Sequence, residues 1–420
     1  MKWAGLMIAV IMFTPLYAAD KITEIEVAEA VVGSNPGVEA ARHAYEGAVA
    51  ASKTSWFLPN PMAGIEYMGM ADRTADFGSA PAKVVEVSQK IPFPLKYPFM
   101  IGAANEAVNA ARFRHETERR MAGLKAFNAY ASFYRVKNEI EITREAAASL
   151  LQVSRIASAR YGRGSEAQAD AAIADLEYAV LENELLSLET EAGVTAAYIN
   201  SLAGNAITIT ADAVPEAPAL EELPGTLEEL ITAAVENSPE VLMMEAEMKE
   251  AENERNGAFM GFLPDVNIKF RKQVEPGSDN YSIMFEAKLP AWFLTNDVPV
   301  ARKAGSEYES RKKRYEDKRA ADVFEAKKNY EAVKTFGRTI GLYGGILIPR
   351  AEAVFEAAVA DYRSGKGEFM KVIDSQRKLL EMRRDYYMYV EKYVMNYREL
   401  MACCAVSFLR DGKVYNLKGR

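Results

Sequence analysis

The residues able to do chemistry are few and scattered. His43 and His115 stand far apart and in no cluster with other ligating side chains. Metal sites gather His, Cys and carboxylates at short fixed spacing, so neither reads as a ligand. Cys403 and Cys404 are adjacent. Sequence neighbours rarely pair with each other, so no disulfide framework or zinc site is on offer. There is no Gly-rich phosphate loop and no nucleophile motif. These absences predict no enzyme, no cofactor and no resident metal. Methionine is the one abundant soft donor, with 18 residues. Met62, Met68 and Met70 share a predicted strand face with Glu66. Thioethers suit Cu(I), but ordinary packing is the simpler use of methionine.

The remaining polar residues that repay attention sit in four short alternating segments. Ala63, Ile65 and Tyr67 alternate with Gly64, Glu66 and Met68. Val85, Val87 and Ile91 alternate with Glu86, Ser88 and Lys90. Val266, Ile268 and Phe270 alternate with Asn267, Lys269 and Arg271. Tyr281, Ile283, Phe285, Ala287 and Leu289 alternate with Ser282, Met284, Glu286 and Lys288. Period two with one apolar and one polar side is the strand signature. Asp72 to Ala80 and Glu275 to Asp279 are the polar, Gly-containing connections within each pair.

Long helices must position these strands. No proline occurs between Pro98 and Pro215. From Tyr97 to Tyr161 is roughly 64 residues of good helix formers, about 96 Å at 1.5 Å per residue. Met121, Leu124, Phe127, Ala131 and Tyr134 form a stripe at steps of three and four. Two adjacent stripes mark the last helix: Tyr387, Val390, Val394, Tyr397 and Met401, and Tyr386, Tyr389, Tyr393 and Leu400. Two stripes imply two packed neighbours, as in a multi-helix coiled tube; an antiparallel bundle is the plainer alternative. Gly341, Gly344, Gly345 and Pro349 predict a break in the third long helix. The Arg311-Lys312-Lys313-Arg314 run reads as a solvated face.

The chain repeats itself. Asn35-Pro36 recurs as Ser238-Pro239, Phe57-Leu58-Pro59 as Phe262-Leu263-Pro264, and Ile91-Pro92 as Leu289-Pro290. Tyr161-Gly162-Arg163-Gly164 recurs as Tyr362-Arg363-Ser364-Gly365, and all four matches lie at offsets of 198 to 205. Four matches in one order predict an internal duplication. Asn35 and Ser238 fit N-caps, with a proline at the first helical position. The expected layout is a first repeat over 20–204, a linker over 205–225, a second repeat over 226–410 and a tail over 411–420. Residues 1–19 read as a secretory signal peptide: Lys2, an apolar Ala4 to Phe13, Pro15, then Ala18 and Ala19. No cysteine lies near the cut to carry a lipid.

Composition limits the partners. The 420 residues carry a net charge of -8 and are 49% hydrophobic. The acidic balance argues against nucleic acid, and no segment beyond the N-terminus is long and apolar enough for a spanning helix. Four strands leave two open edges and cannot close a barrel of useful bore. Three copies would supply twelve strands, an even number in the range of outer-membrane barrels. The residues thus predict a mainly α trimer: long antiparallel coiled-coil helices forming an α-barrel, plus four transmembrane strands per chain in a shared twelve-stranded β-barrel.

These features together resemble the TolC family of outer-membrane efflux proteins. Pro349, Ala351-Glu352, Ala358 and Tyr362-Arg363-Ser364-Gly365 resemble the family's run into the periplasmic helical turn. Ser88-Gln89-Lys90-Ile91-Pro92-Phe93-Pro94-Leu95-Lys96 is similar to the strand exit of the heavy-metal efflux branch (CzcC and CusC type). The resemblance implies a trimeric channel-tunnel in the outer membrane, extending into the periplasm. Its implied partners are outer-membrane lipid, a periplasmic adaptor (membrane fusion) protein and an inner-membrane pump of the resistance-nodulation-division type. It would pass metal cations or small toxic compounds. Type I protein secretion and a periplasmic coiled-coil scaffold stay open as alternatives. Candidate lumen residues are Glu66, Glu86, Ser88, Lys90, Asn267, Lys269, Arg271, Ser282, Glu286 and Lys288, where both signs imply weak ion preference. By resemblance, the helix after Gly365 lies inward and carries the gate, with Lys371 and Asp374 six and nine residues beyond that glycine. Asp170 lies six residues after Gly164, on the outer hairpin. The implied adaptor contacts are the turns at Tyr161, Gly164, Tyr362, Gly365 and Gly367.

Overall fold

A computed structural model describes residues 21–69, 80, 82–161, 168–275 and 277–404. The expected signal peptide and tail, Met70, Gly164 and most of the Asp72 to Ala80 connection lie outside these residues. The described elements run β1 (Lys21–Ile22), α1 (Glu24–Ser34), α2 (Pro36–Thr54), β2 (Met62–Met68), β3 (Ala82–Ile91), α3 (Tyr97–Tyr161), α4 (Gln168–Leu202) and β4 (Val214–Pro215). Then follow α5 (Leu227–Asn237), α6 (Pro239–Phe259), β5 (Val266–Glu275), β6 (Ser278–Ala287), α7 (Asp297–Leu342), α8 (Ile348–Ser364) and α9 (Phe369–Cys403). The fold is mostly helical with a small sheet part.

The helices begin and end where their residues dictate. Thr23 and Thr226 each form a capping box, with Glu26 and Glu229 reaching back to the cap N–H. Each box satisfies two backbone donors that a helix start leaves open. Asn35 Oδ1 accepts from the N–H groups of Gly37 and Val38 at 2.8 and 3.2 Å. Ser238 departs from that expectation in its side chain, which is buried and accepts no such cap bond among the described residues; its N–H closes α5 on Ala234 O at 3.3 Å, as that of Asn35 closes α1 on Val31 O at 2.8 Å. The break foreseen in the third long helix is a π-helical turn over Tyr343–Leu347, with Pro349 opening α8.

The chain divides into two compact units. Of the described residues, one comprises those within 21–39, 118–238 and 322–404. Its core has three clusters. Phe127, Tyr130, Phe133 and Ile199 anchor the first; Leu150, Ala157, Tyr362, Val372 and Ile373 the second; Val333, Val390, Tyr393 and Leu400 the third. Residues 205–225 are tied down within it. Asn200 exchanges two hydrogen bonds with Ile209, and Lys137 Nζ donates to Ala211 O, each at 2.8 Å. The Tyr130 hydroxyl bridges the carbonyls of Ile22 and Glu216 at 2.7 Å each, beside the parallel β1–β4 pair. Buried Arg398 meets Glu24 at 2.6 Å and Glu221 at 3.1 Å, and its guanidinium lies 4.4 Å from the centre of the Phe127 ring.

The other unit comprises residues 40–117 and 239–321. Its sheet is antiparallel in the order β2-β3-β5-β6. Beside the sheet, α3, α6 and α7 pack through paired charges: Arg114 with Glu247 and Arg311 with Glu250, both at 2.7 Å, and Lys318 with Glu240. Arg311 also donates to Glu247 O, so it leaves the solvated face assigned to its run from sequence. The reason is tertiary: a carboxylate on α6 faces that turn of α7.

Candidate functional site

Two regions hold the residues singled out above. The first is the sheet. Register aligns Ala63, Val87, Phe270 and Ile283 in one row across all four strands, and Ile65, Val85, Lys272 and Tyr281 in the next row of the same face. The opposite face aligns Gly64, Glu86, Arg271 and Ser282, flanked by the row Met62, Ser88, Lys269 and Met284. Side chains alternate by two, so each face keeps its own chemistry. The apolar face is open to a degree unusual for a water-soluble sheet: Ile65, Ile283 and Phe285 are 65%, 63% and 71% exposed. On the polar face Ser88 is buried, Glu86, Lys269 and Arg271 are half-buried, and Glu66 and Lys90 are exposed.

The polar face is knitted by charge. Arg271 reaches Glu66 and Glu86, both at 3.1 Å. Lys269 pairs with Glu286 at 2.8 Å, and Asn267 donates to Glu286 at 3.2 Å. Six of the seven charged lumen candidates therefore fall on or beside one face. Lys288 lies past the end of β6, outside the ladder. Lys90 instead turns to Asp265 at 3.3 Å, just before β5. The described methionines of this face lie apart: Met62 and Met68 stand at opposite ends of β2, and Met284 is on the other edge strand, β6.

Asp265 is a junction that sequence reading passed over. Its Oδ1 accepts from Lys96 Nζ at 2.8 Å and Phe93 N–H at 3.1 Å. Burial alone would raise its carboxyl, but the bonds from Lys96, Phe93 and Lys90 win and hold it below the usual range. It fastens the exit of β3 to the entry of β5. Asp265→Asn is expected to cost about 1.5–3 kcal/mol, the range for hydrogen bonds to a charged group. A carboxylate with a lowered folded pKa stabilises above its unfolded value near 3.8 and loses that contribution as pH falls through the folded value. Melting curves of parent and variant in detergent should therefore differ at pH 7 and converge only in strong acid.

The second region lies where α3 meets α4 and α8 meets α9. Gly365 closes α8 at φ 81°, the left-handed region where a Cβ is strained. A Cβ on Gly367 would sit 2.9–3.0 Å from Asp361 and Tyr362, mostly against backbone. Both glycines are required by this turn. Tyr362 is 2% exposed. Its hydroxyl donates to Asp170 Oδ2 on α4 at 2.9 Å. Arg160, from the end of α3, donates to Tyr362 O at 2.8 Å and lies 4.5 Å from the ring centre. Phe369 meets the other side edge-on at 5.4 Å. Burial, then the bond to Asp170, pushes the Tyr362 phenol up to about 12.

This corrects the expectation that Tyr362 belongs to a contact surface. A side chain buried between two hairpins supports the turn from inside. Tyr161 is 50% exposed, and Gly164 lies outside the described residues. Asp170 is engaged by Tyr362 and is no free surface charge. Lys371 and Asp374 are both exposed, on the side of α9 away from buried Val372, Ile373 and Gln376. Among the described residues no ion pair joins them. Among the described residues, too, no His/Cys/Asp/Glu group could hold a metal, and no helix is long and apolar enough to cross a membrane.

The chain was compared with known proteins. No protein-family model and no curated protein matches the sequence. Solved structures do match. The outer membrane protein VceC of Vibrio cholerae superposes with a TM-score of 0.76 at 16% identity, over 91% of this chain and 95% of its own. The outer-membrane channel OprN gives 0.81 at 14% identity, over 92% and 91%. CusC, described for transmembrane channel formation, gives 0.78 at 13% identity, over 93% and 95%. The fold is that of the TolC family of outer-membrane channels. Identities this low carry the fold and no more. Within the TolC fold, the sheet with its one apolar face and the turn region around Tyr362 are the two features of this chain whose chemistry bears on function.

Proposed function

We propose that this chain is the outer-membrane channel of a tripartite efflux system. The observation that carries the proposal is the two-faced sheet, whose apolar face is open and whose opposite face carries paired charges. Water would drive the opposite arrangement, whereas lipid outside and an aqueous lumen inside favour this one. Among the described residues the sheet ends at β2 and β6, and neither edge pairs with a further strand. Lipid cannot satisfy the backbone groups of an open edge. Pairing β6 of one copy with β2 of the next closes the ring, and three copies give twelve strands. The helices then continue as a hollow α-barrel into the periplasm.

On this reading no bond is made or broken. An inner-membrane pump supplies the energy, and a periplasmic adaptor joins pump to channel at the turns around Gly164 and Gly365–Gly367. The cargo is small solutes. Lumen residues of both signs, largely paired with one another, favour little ion selectivity at the outer end. Lys371 and Asp374 line the inner constriction, and threefold symmetry makes each a ring of three. The two repeats, 20–204 and 226–410, arose by duplication. Matching capping boxes at Thr23 and Thr226 and matching hairpins β2–β3 and β5–β6 support that origin.

The test is purification from membranes in detergent, with heat-dependent gel mobility and mass measured together. A compact species of three chains that dissociates on boiling, and that conducts ions in planar bilayers, is the expected result. A monomer that stays in solution without detergent would overturn the reading and favour a periplasmic scaffold.

A further inference from the structure

A cavity of about 380 Å³ opens among α3, α8 and α9, within the first of the two units. Small-molecule sites occupy roughly 300–1,000 Å³. The lining is legible as helix periodicity. On α3 and on α9 the lining residues recur at steps of three and four, from Ile142 to Ser149 and from Gln376 to Arg383. One turn of α8, Glu352 to Glu356, completes the wall. Two short reaches leave the space open. Ala146 presents only a methyl group, and Gln376 folds its amide onto α3, where Nε2 donates to Ala146 O at 3.0 Å.

The polar groups of the wall are not all engaged. Arg383 commits its two terminal nitrogens to Glu145 and Glu352, at 2.8 and 2.5 Å. Glu356 stands one turn beyond Glu352 on the same face of α8. Among the described residues it has no ion pair and no hydrogen bond. Gln376 is 5% exposed. Its bond to a carbonyl fixes the orientation of the amide, so Oε1 is the end left over. That oxygen, and the Ser149 hydroxyl, have no hydrogen-bond partner among the described residues. The wall therefore holds three open acceptors, one of them a full negative charge. Beside them lies an apolar floor of Ile142, Phe355 and Leu380.

We infer that this cavity binds a primary amine carrying a small apolar group. Glu356, Gln376 Oε1 and Ser149 hold the ammonium, and Ile142, Phe355 and Leu380 take the apolar group. A primary ammonium has three N–H donors and no acceptor, which matches three acceptors and no spare donor. The single uncompensated carboxylate sets the charge at one. Other occupants match less of the wall. A neutral alcohol leaves Glu356 without a counter-charge. A quaternary ammonium has no N–H for Gln376, and a buried acceptor left without a donor is costly. A metal ion leaves the apolar floor unused, and among the described residues no His/Cys/Asp/Glu group could hold one.

The bound amine would touch three helices at once. Tyr362 is the one buried side chain of α8, so α8 has the most to gain from a further contact. A ligand that needs α8 packed on α3 and α9 stabilises that packing by mass action. The site is complete within one chain, and it stands whether or not the channel reading holds.

The test is equilibrium dialysis of the purified full chain in detergent against radiolabelled 2-phenylethylamine at neutral pH, with detergent alone as the blank. The expected result is saturable binding of one amine per chain, weakened at least tenfold by Glu356→Gln. Unlabelled 2-phenylethanol and the N,N,N-trimethyl analogue should each compete at least tenfold more weakly than the unlabelled amine. Bound amine should also slow hydrogen exchange in α8. Glu356 is exposed, so Glu356→Gln should melt with the parent when no amine is present, which separates lost binding from lost folding. No saturable binding to the parent, or equal affinity in parent and Glu356→Gln, would overturn the site. Equal competition by the trimethyl analogue would overturn the assignment to a primary amine.

Discussion

Replacing Arg398 with alanine is expected to lower stability by about 3–5 kcal/mol, the range for removing one partner of a buried ion pair. Arg398 and Glu24 are both almost fully buried and lie 2.6 Å apart. Burial raises the Glu24 carboxyl and outweighs the lowering by Arg398. Without the guanidinium, only the backbone bond at Ala219 offsets burial, and the penalty for keeping Glu24 ionised falls on the fold. The Arg398 guanidinium also covers the Phe127 ring, so packing is lost along with charge. The sign of the pH dependence follows. A carboxyl raised in the folded state costs nothing once protonated, below its unfolded value, and costs more as pH rises through the folded one. The deficit of Arg398→Ala should therefore be largest at neutral pH and shrink on acidification. Glu24→Gln in the same chain should recover part of it. Thermal unfolding of the detergent-solubilised protein across pH checks this; a deficit independent of pH and unaffected by Glu24→Gln would show that lost packing alone accounts for it.

The sites differ in how far they could be read from sequence. Local rules sufficed for α3: the lack of proline and the run of helix formers fixed Tyr97 to Tyr161, which is the observed helix. The alternation in β2, β3, β5 and β6 was equally local, and it named the two faces before any register was known. The capping boxes at Thr23 and Thr226 were legible as Thr-x-x-Glu and were passed over. Helix stripes were less faithful. Phe127 and Ala131 of the α3 stripe are buried while Met121 is exposed. A straight helix drifts against a seven-residue repeat, so one stripe does not keep one neighbour over many turns.

Long-range pairs lay beyond reach for a physical reason. Arg398 and Glu24 are 374 residues apart, and a lone Arg in a helical pattern looks like any solvated one. The same holds for Arg160 and Asp170 around Tyr362. The repeat Tyr-x-x-Gly marked the turn correctly but gave no sign that the tyrosine faces inward. Only packing decides whether an aromatic at a helix end covers the turn or projects from it.

On the channel reading proposed above, that inward tyrosine would latch the tip, and its removal is the second large effect expected. Tyr362→Phe deletes the hydroxyl that joins α8 to Asp170 of α4. Arg160→Ala deletes the bond from the end of α3 to Tyr362 O and the cation over its ring. A hydrogen bond to a charged acceptor is worth about 1.5–3 kcal/mol, so Tyr362→Phe should shift the balance between latched and released tips by about 10- to 150-fold. Elsewhere α8 is held lightly: Tyr362 is its one buried side chain, and the π-helical turn at Tyr343–Leu347 interrupts the helix above it. Released tips should raise channel conductance in planar bilayers and speed hydrogen exchange in α8 and the first turns of α9. Melting of the core around Val390 and Leu400 should not change. The phenol is raised to about 12 in the fold against 10 in the unfolded chain. The latch is then fully present below pH 10 and weakens as pH rises through about 12, so variant and parent should keep a constant conductance ratio through neutral pH. Unchanged conductance together with unchanged exchange in both variants would mean that contacts other than Tyr362 keep the tip closed.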